Sequence, residues 1–389
     1  MTRLRLVTGD AAGAVADLGV FVPLTAALIL VNGLDAGSVL LAAGGLVLVS
    51  GLFFRIPFPV QPLKALTAVA VAQGVAPDVI RAAGLEIGVV LLLLSIGDVA
   101  DVVARIFTKP VIRALQFGVG VLLIVTAGKL VAEPSSVFRQ TLHSPWPMIL
   151  AVAALVVVTL AVRRRRYGTA LGILVVGVGW AVVGARPDLA SPSIALPDIG
   201  IPSPAAFASA FFLLVIPQIP LTFGNAVVAV SDLAHEYFGA AARRVSPSRV
   251  CLSCGLGNIA SALLGGMPMC HGAGGLTAHF RLGARTATMS LLLGSVFLGL
   301  GLFFAPQVTA IIGLLPAWGL AAFLVYAGAR HALLVLDLRR MSLVLAVGAG
   351  LIGSLLGNLA VTAITVLVCD HGLRLARQFR SGGVAARAS

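Results

Sequence analysis

Apolar residues run along this chain in blocks about as long as a bilayer is thick, and proline and glycine interrupt them at two places. A helix needs about 20 apolar residues to cross the hydrocarbon core, fewer if it meets another mid-membrane. On that measure the blocks predict full spans over 14–33, 38–54, 79–97, 111–131, 146–162, 168–185, 205–231, 249–265, 286–305, 308–329, 341–353 and 355–371. Two shorter pieces, 62–74 and 272–281, read as half-helices. Residues 98–109 form a short amphipathic connector, and 186–204, with five prolines, an external loop.

The first interruption is Ile56-Pro57-Phe58-Pro59-Val60-Gln61-Pro62-Leu63-Lys64. Three prolines in six residues stop any entering helix, and Pro62 suits the first turn of a new one, where its missing N–H costs nothing. Irregular backbone at membrane depth is tolerated only where protein buries it or where it lines a polar cavity. An intramembrane Lys marks a functional site.

The second interruption repeats the first. Leu66-Thr67-Ala68 after the first break matches Leu276-Thr277-Ala278 after the second, which opens with Gly266-Met267-Pro268-Met269. Upstream, Pro23-Leu24-Thr25 and Pro220-Leu221-Thr222 occupy matching places inside apolar spans. The expected fold is all-α and polytopic, with about 14 crossings in a 7+7 inverted repeat, 14–185 against 205–371. An odd number of crossings per repeat inverts its orientation, the arrangement that secondary transporters use around a midplane site.

Composition agrees with a membrane protein: 59% of the 389 residues are hydrophobic, 11% charged, and mean hydropathy is +1.07, where a soluble domain carries about 25% charged residues. The net charge of +13 is read as positive-inside bias and not as nucleic-acid binding. With a cytoplasmic N-terminus, 22 of the 27 basic residues fall on the cytoplasmic side, among them the four arginines 163–166, which anchor topology and meet anionic lipid. Both termini are therefore expected inside the plasma (inner) membrane. The basic N-terminus followed by Asp17 and Pro23 reads as a first span and not as a signal peptide. Four cysteines supply no disulfide framework, and Cys251-Leu-Ser-Cys254 lacks a second ligand pair for a metal. No cofactor is expected, and no nucleophile–base pair or metal cluster points to an enzyme.

Helix N-termini carry unsatisfied N–H groups and roughly half a positive charge, so two opposed half-helices form an anion site. The candidate ligands are Gln61, Lys64, Gln218, Asn225, His271, Gly272, Ala273, Gly274 and Gly275. Lys64 supplies full charge, the amides and imidazole supply neutral donors, and the glycines let backbone approach a ligand. Asn258 and Asn358 read as interhelical glue. Asp17 has two readings: a permanent partner of Lys64, or a titratable group coupling anion entry to protons. Glu86 is a second coupling candidate, or a solvated carboxylate near the outer face.

Pro59-Val-Gln-Pro62-Leu-Lys64, Pro217-Gln-Ile-Pro-Leu-Thr-Phe-Gly-Asn225 and Gly265-Gly-Met-Pro-Met-Cys-His-Gly-Ala-Gly-Gly275, followed by Phe280-Arg-Leu-Gly-Ala-Arg285, resemble the molybdate-transporter group of the sulfate permease superfamily. The resemblance implies a fold of the uracil permease type. In it a core domain (14–97 and 205–305) moves against a gate domain (111–185 and 308–371), with the anion bound between half-helices 3 and 10. It implies proton-coupled uptake of a tetrahedral oxyanion, molybdate first and sulfate second. Sulfate permeases carry a cytoplasmic STAS domain; only residues 372–389 follow the last expected span, and the molybdate group also lacks that domain. A nucleobase-type permease would put acidic residues where His271 and the glycines stand. A sensor would need an output domain. The oligomeric state, monomer or homodimer, stays open.

Overall fold

The structure, a computed structural model, describes residues 9–11, 13–14, 18–97, 99–100, 108–132, 194, 196–313 and 317–385. The expected spans 146–162 and 168–185, the arginine run and Asp17 lie outside the described residues.

Among the described residues the chain is helical apart from one short antiparallel ladder. In order these are α1 (Leu18–Leu30), α2 (Ala36–Phe54), β1 (Gln61–Pro62), α3 (Lys64–Gln73), α4 (Pro77–Leu94) and α5 (Lys109–Ala132). After the external loop come α6 (Pro204–Ala242), α7 (Pro247–Leu263), β2 (Met269–Cys270), α8 (Ala273–Arg281) and α9 (Thr288–Phe303). The last are α10 (Ala305–Gly313), α11 (Ala317–Ala332), α12 (Arg340–Leu355) and α13 (Leu359–Ala385). Three of them, α2, α5 and α6, are long and apolar enough to cross a membrane individually. Local chemistry sets the ends: Asp35 caps α2 by accepting from Ser38 N at 2.7 Å, Ser246 caps α7, and Pro stands in the first turn of α4, α6 and α7.

Three elements differ from expectation. The block 205–231 is one helix to Ala242, because Pro217 and Pro220 do not break it. Instead π-turns at Phe211–Val215 and Thr222–Val228 insert an extra residue, with Ile216 N–H bonding Phe211 O and Ala229 N–H bonding Gly224 O. The wider turn makes room for the pyrrolidine rings and absorbs their missing donors. The block 308–329 is two helices, α10 and α11, and the intervening sequence contains Pro316, which has no N–H to donate. The last helix runs on past 371, to Ala385.

Small residues set the packing. Helix α2 lies against α9, where a Cβ on Gly44 would stand 2.8 Å from Leu298 N and 2.9 Å from Gly294 O. Similar close contacts join α4 to α7 and α5 to α11 and α12. In lipid the hydrophobic effect does not drive helices together, so close backbone approach has to supply the attraction. Half-helix α3 packs against α1, α5 and α6, which leaves its residues 65–71 buried inside the protein.

Candidate anion site between two half-helices

The prolines of residues 57–62 and Pro268 release two extended segments, and these pair with each other. Gln61 lies opposite Cys270 and Pro62 opposite Met269 in an antiparallel ladder, extended by Leu63 N–H to Pro268 O at 3.1 Å. Each strand runs directly into a half-helix, α3 from β1 and α8 from β2, so the two N-termini meet at the ladder. Neither N-cap, Leu63 or Gly272, supplies a side-chain cap.

Side chains from neighbouring helices satisfy the irregular backbone. Asn258 takes Met269 from both sides, accepting from its N at 2.8 Å and donating to its O at 2.7 Å. Ser261 donates to Met267 O at 2.6 Å, and Phe58 N donates to Ser290 Oγ at 3.1 Å. Asn32 donates to Ala70 O at 2.8 Å and Val75 O at 2.9 Å at the far end of α3. An unpaired buried peptide group costs about 1–3 kcal/mol, so these clamps are what allow a non-helical stretch at membrane depth.

His271 belongs to the same scaffold. Its Nδ1 donates to Pro59 O at 2.8 Å and its Nε2 accepts from Ser253 Oγ at 2.9 Å. The ring is fully buried between Phe54 and Phe58. Both nitrogens are engaged, and the imidazole ties the two broken segments together.

Beside the N-terminus of α3 lies a small cavity of about 20 Å³, lined by Lys64, Gln116, Gln218, Leu221, Asn225, Cys270 and His331. Among the expected ligands, Lys64, Gln218 and Asn225 thus stand together. Gln61 is buried in the ladder, and Gly272 adjoins it so closely that an added Cβ would collide with Gln61 Oε1 and come within 3.7 Å of Asn225 Nδ2. Ala273 is buried, as is Gly275, while a Cβ on Gly274 would meet nothing within 4 Å. Gln218 Oε1 accepts from Leu66 N at 3.0 Å and its Nε2 donates to Thr222 Oγ1 at 2.9 Å, so a side chain of α6 caps α3. Spacing of 218, 221, 222 and 225 puts all four on one face of α6. Among the described residues no ion pair involves Lys64. Glu86, on α4, is half-buried with Oε2 unpartnered and does not line the cavity.

Two lining residues went unnoticed in the sequence, Gln116 on α5 and His331 on α11. Arg113 Nη1 donates to Gln116 Oε1 at 2.8 Å, which fixes the amide. Arg113 in turn is bidentate to Asp337, at 3.0 and 2.6 Å, and Lys109 Nζ lies 3.0 Å from the same carboxylate. The hydrogen bond from Arg113 leads in holding the Asp337 carboxyl down to about 2, from an ordinary 3.8. The signal available was the lone amide in an apolar span, three residues after an arginine. Two larger recesses, of about 500 and 380 Å³, are lined mainly by apolar side chains, with Thr25 the polar residue of the first and Arg249, Ser253 and Ser261 those of the second.

A family described as "Molybdate transporter of MFS superfamily" matches residues 9–123 and 210–330, which include both half-helices and every residue lining the cavity except His331. This chain belongs to the molybdate transporter family. It is therefore one of a family of transporters, not enzymes. Molybdate transporter 2 of Arabidopsis thaliana is 32% identical over 384 residues, covering 86% of this chain and 81% of the relative. Molybdate transporter 1 of Chlamydomonas reinhardtii is 30% identical over 505 residues, covering 98% and 96%. The fold of this family member overlays on the transmembrane domain of the cyanobacterial bicarbonate transporter BicA (TM-score 0.68, 17% identity, 93% of this chain and 98% of that one). It also overlays on SLC26A9 (TM-score 0.69, 13% identity, 97% and 66%). The helical membrane fold is thus of the SLC26/SulP kind, although the family's description carries the word MFS.

Proposed function

We propose that this protein is a secondary transporter that takes up a tetrahedral oxyanion, molybdate first and sulfate second, together with protons. One observation carries the reading: two half-helix N-termini are bridged tip to tip, and beside that of α3 lies a cavity with Lys64 and the amides of Gln116, Gln218 and Asn225. Donors, a full positive charge and two helix ends favour an anion over a neutral or cationic solute. The names of the relatives support molybdate among the oxyanions.

The transport cycle proposed is alternating access. The core, 14–97 and 205–305, carries both half-helices and moves against the gate, 111–185 and 308–371, in a 7+7 inverted repeat. In support, the cavity wall has two sources: Lys64, Gln218, Asn225 and Cys270 from one group of helices, Gln116 and His331 from the other. Its present volume suits about one water and is too small for a tetrahedral oxyanion, so entry demands that the two walls separate. The membrane is the plasma (inner) membrane, with both termini cytoplasmic, and lipid and protons are the remaining partners.

Uptake of labelled molybdate into proteoliposomes, with and without a pH gradient, tests this. Accumulation that is blocked by excess unlabelled molybdate is expected; no flux of molybdate or sulfate under any gradient would overturn it. Competition by sulfate on purified protein ranks the two anions.

A further inference from the structure

His331 stands in the cavity wall and the proposed cycle has not used it. The ring is held by one hydrogen bond, Nδ1 to Ala327 O at 3.0 Å. A carbonyl has no hydrogen to give, so Nδ1 is the protonated nitrogen of the neutral ring and Nε2 carries the lone pair. Because Nδ1 is turned back on its own helix, the opposite edge, with Nε2, is the one left for the cavity. Among the described residues Nε2 has no hydrogen-bond partner. His271 is the contrast: there Ser253 occupies Nε2.

We infer that His331 is the proton-carrying group of the anion cavity: Nε2 takes up one proton as a dianion enters and returns it as the anion leaves. This rests on the transport reading above. A neutral Nε2 presents a lone pair to an oxyanion and repels it. A protonated Nε2 donates a charge-assisted hydrogen bond. The charges that act on the ring are Lys64, across the cavity on α3, and Arg330 on its own helix. The other lining groups are Gln116 from α5, Gln218 and Asn225 from α6, and the Cys270 thiol from β2. Arg113 on α5 is committed to Asp337 and Gln116. Asp17, ahead of α1, lies outside the described residues and is treated as a rival in the test. Beside Lys64 a second positive charge is unfavourable in an empty cavity and favourable once a dianion is present. Binding of proton and anion therefore strengthen each other reciprocally, by the same factor. The balance is simple: one proton and one dianion enter from outside, imidazole becomes imidazolium, and the proton and the anion are both released inside with the ring neutral again.

Labelled molybdate uptake is measured from pH 6 to 8 in proteoliposomes carrying wild type, His331→Gln or Asp17→Asn, with a trapped pH dye reporting proton entry. In wild type, uptake should fall by up to about tenfold per pH unit above the group's titration. His331→Gln should slow molybdate counterflow, flatten the pH profile to within about twofold, and abolish molybdate-driven acidification. An unchanged profile and acidification in His331→Gln overturn the inference, and their loss in Asp17→Asn alone moves the role to Asp17. In both cases the transport reading stands. Absence of molybdate flux in wild type overturns that reading instead. Should His331→Gln fail to fold, wild-type protein decides by calorimetry of molybdate binding in buffers of different ionisation enthalpy. Uptake of about one proton per anion near pH 7.5 is expected, and zero proton uptake overturns the inference.

Discussion

Lys64 is the first residue of α3, so its ammonium and the N-terminal field of its helix act at one place. Removing it takes the full charge and leaves the field. Lys64→Ala should weaken molybdate binding by at least tenfold, about 1.4 kcal/mol or more, while Arg165→Ala changes it less than twofold; isothermal calorimetry on purified protein reads both. Gln116 works by a different route. Because Arg113 occupies its oxygen, the amide N–H pair is the part left for a ligand. Gln116→Glu swaps donors for a negative charge and should cost more affinity than Gln116→Leu in the same assay. Asp337, which anchors Arg113, has its folded titration below the unfolded one, so its contribution is present above about pH 4 and is lost as pH falls towards 2. It stays ionised throughout the physiological range. Asp337→Asn should therefore lower molybdate uptake without changing the shape of its profile from pH 6 to 8.

At the scale of elements, the two broken segments stand because other helices hold them. Asn258 makes both hydrogen bonds of Met269, so Asn258→Ala strands a buried N–H and C=O. It should lower the stability of the purified protein by about 2–5 kcal/mol, read as a fall in thermal midpoint in detergent, whereas Asn358→Ala, which loses only a cap on Ala360 N, should cost about 1 kcal/mol. The breaks themselves were legible in the sequence, since proline acts through its own ring and missing donor, whatever surrounds it. Most helix ends fell within a few residues of the apolar blocks for a similar local reason. The single span over 205–231 held despite Pro217 and Pro220, but its π-turns and its run to Ala242 were not legible, because whether a proline is absorbed by a π-turn depends on the room around its ring. His271 looked in sequence like a donor for substrate; tertiary contacts with Pro59 and Ser253 occupy it instead.

For the whole molecule, the cavity brings together residues from five elements and more than 260 positions of sequence, from Lys64 to His331. Gln116 and His331 could not be picked out beforehand, since which face of α5 or α11 looks inward is decided by packing against distant helices. Their position makes the wall two-sided, which leads to a test of movement. Cys270 lines the cavity and is buried, and Cys369 is exposed. In a Cys369→Ser background, a maleimide should label Cys270 slowly in the absence of anion and at least fivefold more slowly with saturating molybdate, as read by mass spectrometry. Labelling that molybdate leaves unchanged would place the anion elsewhere.

The ladder between β1 and β2 also sets an order on manufacture. Leu63 N–H finds its acceptor only in Pro268, a residue synthesised 205 positions later. At roughly 5–20 residues per second the first half of the protein waits on the order of 10–40 s with an unpaired peptide group and a lone lysine beside it. Throughout that interval the nascent chain needs water, lipid headgroups or the insertion machinery around residues 56–64. The ladder can be completed only once residues 268–270 have been made.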